Sequence, residues 1–120
     1  MITTFATVAV AFVAALHVGF MILEMFLWTQ PLGRRIFGLQ LDYANATSAL
    51  AANQGLYNGF LAAGLIWGLL ADANRPGLLT FFLVCVIVAG IYGAITVSRS
   101  ILVVQAAPAA VALALVLLAR

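Results

Sequence analysis

The fold is decided by residues 4–28, which read TFATVAVAFVAALHVGFMILEMFLW. His17 and Glu24 are the only ionisable side chains of this stretch, and at about 1.5 Å per residue it can cross about 30 Å of hydrocarbon. It has no Lys or Arg ahead of its apolar part, whereas a secretory signal usually opens with positive charge. We therefore expect residues 4–28 to form a retained membrane-spanning helix.

The composition of the whole chain is typical of a membrane protein. Of its 120 residues, 67% are hydrophobic and only 7% are charged, whereas about a quarter of the residues of a soluble domain are usually charged. The mean hydropathy is +1.24. A net charge of +2 spread over the loops forms no basic patch, so we expect no nucleic-acid partner.

Three further apolar stretches predict three more helices, at residues 48–71, 78–97 and 101–118. Each approaches the length of about 20 residues that a spanning helix needs, and a helix satisfies every backbone polar group within its own segment. The connections between the stretches are short. The sequence therefore predicts an all-α membrane protein, a single domain over residues 1–120 in which four transmembrane helices form an up-down-up-down bundle.

The distribution of arginines gives a faint orientation signal. Arg34, Arg35 and Arg99 fall on the side of the first and third loops, and Arg75 and Arg120 fall on the other side. Because cytoplasmic loops carry an excess of positive residues, this pattern favours a cytoplasmic first loop. A bias so small is also compatible with dual insertion.

Polar side chains gather in one half of the predicted bundle, toward the ends that face the first and third loops. Several follow helical spacing, as in the pairs Asn53–Tyr57 and Gln54–Asn58, and the opposite half is almost wholly apolar. Ionisable and amide groups are expensive in hydrocarbon unless they pair or line a wet cavity. The sequence therefore predicts a polar intramembrane pocket open toward one leaflet, lined by His17, Glu24, Asn53, Gln54, Tyr57, Asn58, Tyr92, Thr96, Arg99 and Gln105.

Each of these residues also has a purely structural interpretation. Amides and hydroxyls on membrane helices often only join neighbouring helices, at about 0.6 kcal/mol each, and Arg99 can snorkel to the interface. Glu24 is different because a carboxylate inside a span must stay protonated or pair, most obviously with Arg99. We therefore expect Glu24 to be functional.

Several chemistries find no support in the sequence. Cys85 is the only cysteine and His17 the only histidine, so we expect neither a disulfide nor a metal site, and no cofactor. The glycines of the third span follow no strand, which argues against a phosphate-binding loop. The serines lie at span ends and form no Ser-His-Asp arrangement.

Small residues recur at close-packing intervals along the spans. Gly55 and Gly59 are four residues apart, and Gly90 and Gly93 stand in the third span; such residues let helix backbones approach closely in lipid. We expect self-association through these faces, hence a homo-oligomer. Pro108 lacks a backbone donor, which predicts a kink beside Gln105.

Three stretches carry a family resemblance. They are H-x6-E-M-F-L-W-T-x-P-x-G-R-R-x-F-G at residues 17–38, AANQGLYNGFLAAGL at residues 51–65 and Q-x-x-P-A at residues 105–109. Together they resemble a family of small bacterial integral membrane proteins described only as a domain of unknown function. The resemblance implies a multi-pass protein of the inner (plasma) membrane with four helices, and it supplies no reaction.

Three functions of different classes fit these residues. The first is binding of a small amphiphilic or lipid-like ligand, with Arg99 and the amides holding its polar head. The alternative is an intramembrane enzyme with isomerase-like chemistry, in which His17 or Glu24 acts as acid or base. The second alternative is a small proton-coupled exporter that uses Glu24, since small multidrug transporters also have four helices and one essential glutamate in the first. The ligand-binding pocket is preferred because a dry, apolar floor suits a ligand that enters from lipid.

Overall fold

The structure, a computed structural model that describes residues Met1–Arg120, is built from helices and confirms the predicted all-α class. Its elements in chain order are α1 (Ile2–Phe26), α2 (Pro31–Phe37), α3 (Leu41–Leu70), α4 (Arg75–Thr96), a π-helical segment (Leu102–Ala106) and α5 (Ala107–Leu118).

Two of these helices, α1 and α4, are long and apolar enough to cross a membrane by length and composition. Leu102–Leu118, which joins the π-helical segment and α5, is a shorter apolar helix. The 30-residue α3 is less apolar because Asn53, Gln54 and Asn58 lie within it. The structure thus supports two of the four predicted spans.

The first connection is more ordered than the predicted loop at residues 29–47. Pro31 begins α2, where a missing N–H costs nothing, and Gly38 ends it with a left-handed backbone (φ 66°). The N–H groups of Gly38 and Leu39 both bond the carbonyl of Arg34. Helix α3 then begins at Leu41 rather than at residue 48, because Asp42 suits the first turn of a helix. Helical structure here does not require an apolar sequence.

The chain divides by its internal contacts into two compact units, which we name the core unit (Met1–Leu16 with Leu61–Arg120) and the loop unit (His17–Phe60). The core unit buries one apolar cluster to which α1, α3, α4 and α5 all contribute. Its buried members are Ala6, Val10, Val13, Ala14, Leu65, Leu79, Leu83, Val86, Ala109, Ala112 and Val116.

Glycines set the closest helix contacts of the core unit. Gly64 packs against the ring of Phe82, and a Cβ atom at Gly90 would lie 2.8 Å from the backbone nitrogen of Ala106. Gly90, one of the glycines predicted to mediate self-association, thus contacts another helix of its own chain. Self-association stays a prediction.

The π-helical segment stands where the sequence predicts a kink. In this segment a backbone N–H donates to the carbonyl five residues earlier, as the Ala107 N–H does to the Leu102 carbonyl. Pro108 has no N–H to donate to the Val104 carbonyl. The five-residue bonding pattern of the π-helical segment accommodates this missing donor. Gln105 lies within this segment and is half-buried.

In the loop unit, the turn after α1 is held by side chains and by one close backbone contact. The Trp28 indole donates to the Thr47 hydroxyl at 3.0 Å, and its ring lies 5.0 Å from that of Phe37. Gly33 of α2 packs directly on the backbone of Leu27, leaving no room for a Cβ atom. Glycine is therefore required at position 33.

This contact generates a stability prediction. We expect Gly33→Ala to lower the free energy of unfolding by about 1–3 kcal/mol, because the backbone of Leu27 must move away. Gly19→Ala is the matched control: no atom lies within 4 Å of its added methyl, so it should stabilise α1 by about 0.5–1 kcal/mol. Denaturant unfolding in detergent micelles, followed by circular dichroism, measures both. Equal tolerance of the two changes would contradict the packing described.

Candidate functional site

The predicted polar residues contribute one hydrogen bond between α1 and α3, which we name the Glu24–Asn58 pair. The amide nitrogen Nδ2 of Asn58 donates to Oε1 of Glu24 at 3.2 Å. Both side chains are half-buried. A carboxylate in apolar surroundings thus receives a neutral donor from the neighbouring helix.

Two glycines make this hydrogen bond possible. Gly55 and Gly59 lie near Asn58 on the face of α3 that packs on α1. A Cβ atom at Gly55 would lie 2.6 Å from Met25 Cγ and 3.1 Å from Glu24 Cβ, and one at Gly59 would lie 2.7 Å from Met21 Sδ. Because neither glycine has a side chain, α1 comes close enough for the short Asn58 side chain to reach Glu24. The N-Q-G-L-Y-N-G string at residues 53–59 encodes this approach.

His17 lies apart from the pair, two helical turns earlier in α1, or about 10 Å along the axis. It is fully buried, at 0% exposure. Its ring meets the edge of Phe20 at 5.4 Å between centroids and 77° between planes. The catalytic role of His17 stays a prediction.

Three other predicted residues of α3 are exposed and take no part in the hydrogen bond of the pair. Asn53, Gln54 and Tyr57 are exposed, and the Asn53 amide donates to the carbonyl of Ala49 in its own helix at 3.2 Å. Helical geometry explains this, because residues 53 and 57 lie roughly opposite residues 55 and 59. The predicted i, i+4 spacing is correct, but it places Asn53 and Tyr57 on the outer face.

The remaining four predicted residues belong to the core unit. The Thr96 hydroxyl donates to the backbone carbonyl of Tyr92 at 2.8 Å. Helix α4 ends at Thr96, so Arg99 lies in the following turn and is exposed. A shared role of these residues with Glu24, including the Glu24–Arg99 ion pair, stays a prediction.

The Glu24–Asn58 pair can recognise a polar group but shows no metal-site chemistry. Besides their mutual bond, a carboxylate accepts through two oxygens and an amide offers a second N–H and a carbonyl oxygen. No group of three or more His, Cys, Asp and Glu side chains is placed to hold a metal ion. The pair is thus suited to hydrogen-bonding a ligand with both donors and acceptors.

The structure also has two recesses that the sequence patterns did not identify. In the loop unit, a shallow recess of about 340 Å³ is lined by Pro31, Arg34, Arg35, Gly38, Leu39 and Gln40. In the core unit, a recess of about 140 Å³ lies beside Arg75, whose guanidinium donates to the Thr7 hydroxyl at 2.8 Å. The half of the bundle predicted to be apolar therefore contains a partly polar recess. For the recess in the loop unit, the available sequence signal was a pair of adjacent arginines, Arg34 and Arg35, close to a proline and a glycine.

Comparison with known proteins identifies the family. No solved structure matches the chain. The uncharacterised protein YpaA of Lactococcus lactis subsp. lactis (strain IL1403) is 27% identical over 113 residues, which cover 92% of this chain and 95% of the relative. Residues 11–117 match the family described as proteins of unknown function, DUF1304. Since that match covers most of the sequence and includes all ten predicted site residues, the chain belongs to the DUF1304 family.

Proposed function

We propose that this protein is a four-helix, multi-pass protein of the inner membrane that binds a small amphiphilic or lipid-like molecule in a polar pocket open toward one leaflet. The observation that carries the proposal is the Glu24–Asn58 pair, a half-buried carboxylate bonded to an amide between two helices. Such groups are retained within apolar helices chiefly where they hold a substrate, an ion or a ligand.

The membrane placement is supported by what the helices expose. Large apolar side chains stand outward along α1 and α4, among them Phe5, Phe12, Phe81 and Val88. Soluble monomers rarely expose such contiguous apolar surface, and lipid would cover it. With α1 and α4 as candidate spans, α3 and Leu102–Leu118 would complete a four-span bundle.

The ligand class follows from the surroundings of the pair. Glu24 and Asn58 offer hydrogen bonds to a polar head, whereas Met21 and Met25 border the same contact between α1 and α3. Methionine is flexible and adapts to irregular apolar shapes. A molecule with a hydrogen-bonding head and an apolar body fits this combination. The ligand-binding roles of Tyr92, Thr96, Arg99 and Gln105 stay predictions.

The proton-coupled exporter has one observation in its favour. The hydrogen-bond partner of Glu24 is a neutral amide, which leaves the carboxylate available to bind protons in exchange for a cationic substrate. The isomerase-like enzyme has less support, because His17 is fully buried and two turns from Glu24. Binding of a ligand remains the function that the geometry supports best.

The chain offers a sharp test in two asparagines of one helix. We expect protein released gently from its own membrane to carry a discrete bound mass in native mass spectrometry. Asn58→Ala should lose that mass, since its amide bonds Glu24. Asn53→Ala should keep it, because the Asn53 amide bonds only the carbonyl of Ala49 among the described contacts.

The outcomes separate the three functions. Wild-type protein without any bound mass would contradict ligand binding, and loss of the mass in both variants would show that the Glu24–Asn58 pair has no special role. Proton-driven uptake of a cationic dye into vesicles, abolished by Glu24→Gln, would instead favour the exporter.

A second prediction concerns the stability of the pair. We expect Glu24→Gln to fold normally, because a glutamine carbonyl can still accept from Asn58 and such interhelical bonds average about 0.6 kcal/mol. Glu24→Lys should cost about 1–3 kcal/mol, because it leaves the Asn58 amide without its acceptor. Size-exclusion elution and thermal unfolding in the same detergent compare the two. Aggregation of Glu24→Gln would refute the expectation.

We also propose that the protein forms a homo-oligomer through the outer face of α3, where Asn53, Gln54 and Tyr57 are exposed. Exposed amides in hydrocarbon require partners. Each amide both donates and accepts, so the same face of a second copy can satisfy it across a two-fold axis. The proposed interface therefore consists of polar side chains of α3, whereas the sequence patterns predict self-association through the glycines.

Cysteine cross-linking tests the arrangement in native membranes. In a Cys85→Ala background, Asn53→Cys should give a disulfide-linked dimer on mild oxidation, because two copies would bring position 53 together. Val88→Cys, which is exposed on α4, reports random encounters and should remain monomeric. Similar cross-linking at both positions would argue against an α3 interface.

A further inference from the structure

The recess of about 340 Å³ in the loop unit is positively charged, and the Glu24–Asn58 pair takes no part in it. Its lining residues include Arg34, Arg35 and the amide of Gln40, and none of them is acidic. Guanidinium groups bind phosphate well because their planar donors match two phosphate oxygens at once. The lining chemistry is therefore that of an anion site.

One of the two arginines that line this recess is fixed in place. Nε of Arg34 donates to the carbonyl of Thr29 at 3.2 Å, and the bond is partly buried. This bond uses one of the five guanidinium N–H donors and orients the others. Gly38 borders the recess without a side chain, which leaves room there for an anion.

The helix that carries both arginines is itself rigidly mounted. Gly33 packs on the backbone of Leu27, and the ring of Phe37 packs on Trp28, whose indole bonds Thr47. A recess mounted on packed elements is preorganised, which reduces the ordering cost of binding.

The same helix exposes apolar side chains beside its arginines. Leu32 is 51% exposed and Ile36 is 53% exposed, and α2 begins shortly after α1, a candidate span, ends at Phe26. Apolar side chains next to arginines are typical of helices that lie at the level of lipid phosphates. This step rests on the proposed membrane placement, whereas the charge of the recess does not.

We propose that the recess lined by Arg34, Arg35 and Gln40 binds a phosphate group, either in the headgroup of an anionic phospholipid or on a soluble phosphate compound. Arg34 provides the oriented donors, Arg35 adds charge at the open rim, and Gln40 offers a hydrogen bond to an ester or hydroxyl oxygen. The site is distinct from the Glu24–Asn58 pair.

The experiment titrates detergent-solubilised protein with phosphatidylglycerol, with phosphatidylcholine of the same acyl chains and with inorganic phosphate, and counts bound molecules by native mass spectrometry. We expect preferential binding of phosphatidylglycerol, weakened about fivefold for each arginine replaced in Arg34→Gln and Arg35→Gln. Arg120→Gln is the matched control, since Arg120 bonds Thr80 in the core unit. Asn58→Ala should leave this binding unchanged, which separates the recess from the proposed ligand pocket.

Each outcome decides the proposal. Displacement of phosphatidylglycerol by millimolar inorganic phosphate would support the site and identify a soluble phosphate as its ligand, whereas resistance to displacement would identify the lipid. Equal binding of the two lipids, or undiminished binding by Arg35→Gln, would overturn it. Arg35 is exposed and makes none of the hydrogen bonds described for α2, so its replacement leaves the fold intact even where Arg34→Gln disturbs it.

Discussion

A carboxylate on an apolar helix needs a hydrogen-bond donor nearby, and the packing of the loop unit is organised around supplying one to Glu24. The donor comes from a short side chain, Asn58, which reaches only if two helix backbones come close. Gly55 and Gly59 allow that approach, and the methionines of α1 occupy the space beside them. An uncompensated polar group in apolar surroundings would cost several kcal/mol. Gly55 and Gly59 are therefore needed to bring the Asn58 donor to Glu24. One short sequence string thus determines both the helix packing and the hydrogen bond.

The predictable part of the fold is the part controlled by hydropathy. Residues 4–28 and 78–97 are strongly apolar, and the structure has helices there with nearly the predicted ends. The structure of the first connection was harder to predict from the sequence, because α2 and the start of α3 depend on local signals for helix starts and ends rather than on hydropathy. Pro31 at a helix start, Gly38 in a left-handed conformation and Asp42 in a first turn are weak signals one by one. A search for apolar runs passes over them, although each has a clear physical reason.

Part of the predicted site could be derived from the sequence, but the direction of its side chains could not. The sequence placed Glu24 and Asn58 in one predicted pocket, and the structure joins the two by a hydrogen bond. It could not indicate which face of α3 packs on α1, because amides and glycines alternate around residues 53–59. Gly55 and Gly59 decide the question, since a helix turns its smallest residues toward its closest neighbour. Because Gly55 and Gly59 face α1, Asn53 and Tyr57 on the opposite side of α3 face outward.

The two units differ in the kind of interaction that holds them. The core unit is stabilised by apolar contacts among four helices, with hydrogen bonds such as Arg75–Thr7 at its edge. In the loop unit, polar bonds fix the chain instead: Trp28 to Thr47, Arg34 to the Thr29 carbonyl and Asn58 to Glu24. Polar interactions are directional, whereas apolar packing tolerates substitution as long as volume is kept. The loop unit is therefore the more sensitive of the two to single polar substitutions, because the loss of one donor or acceptor removes a directional bond, whereas the core unit can repack.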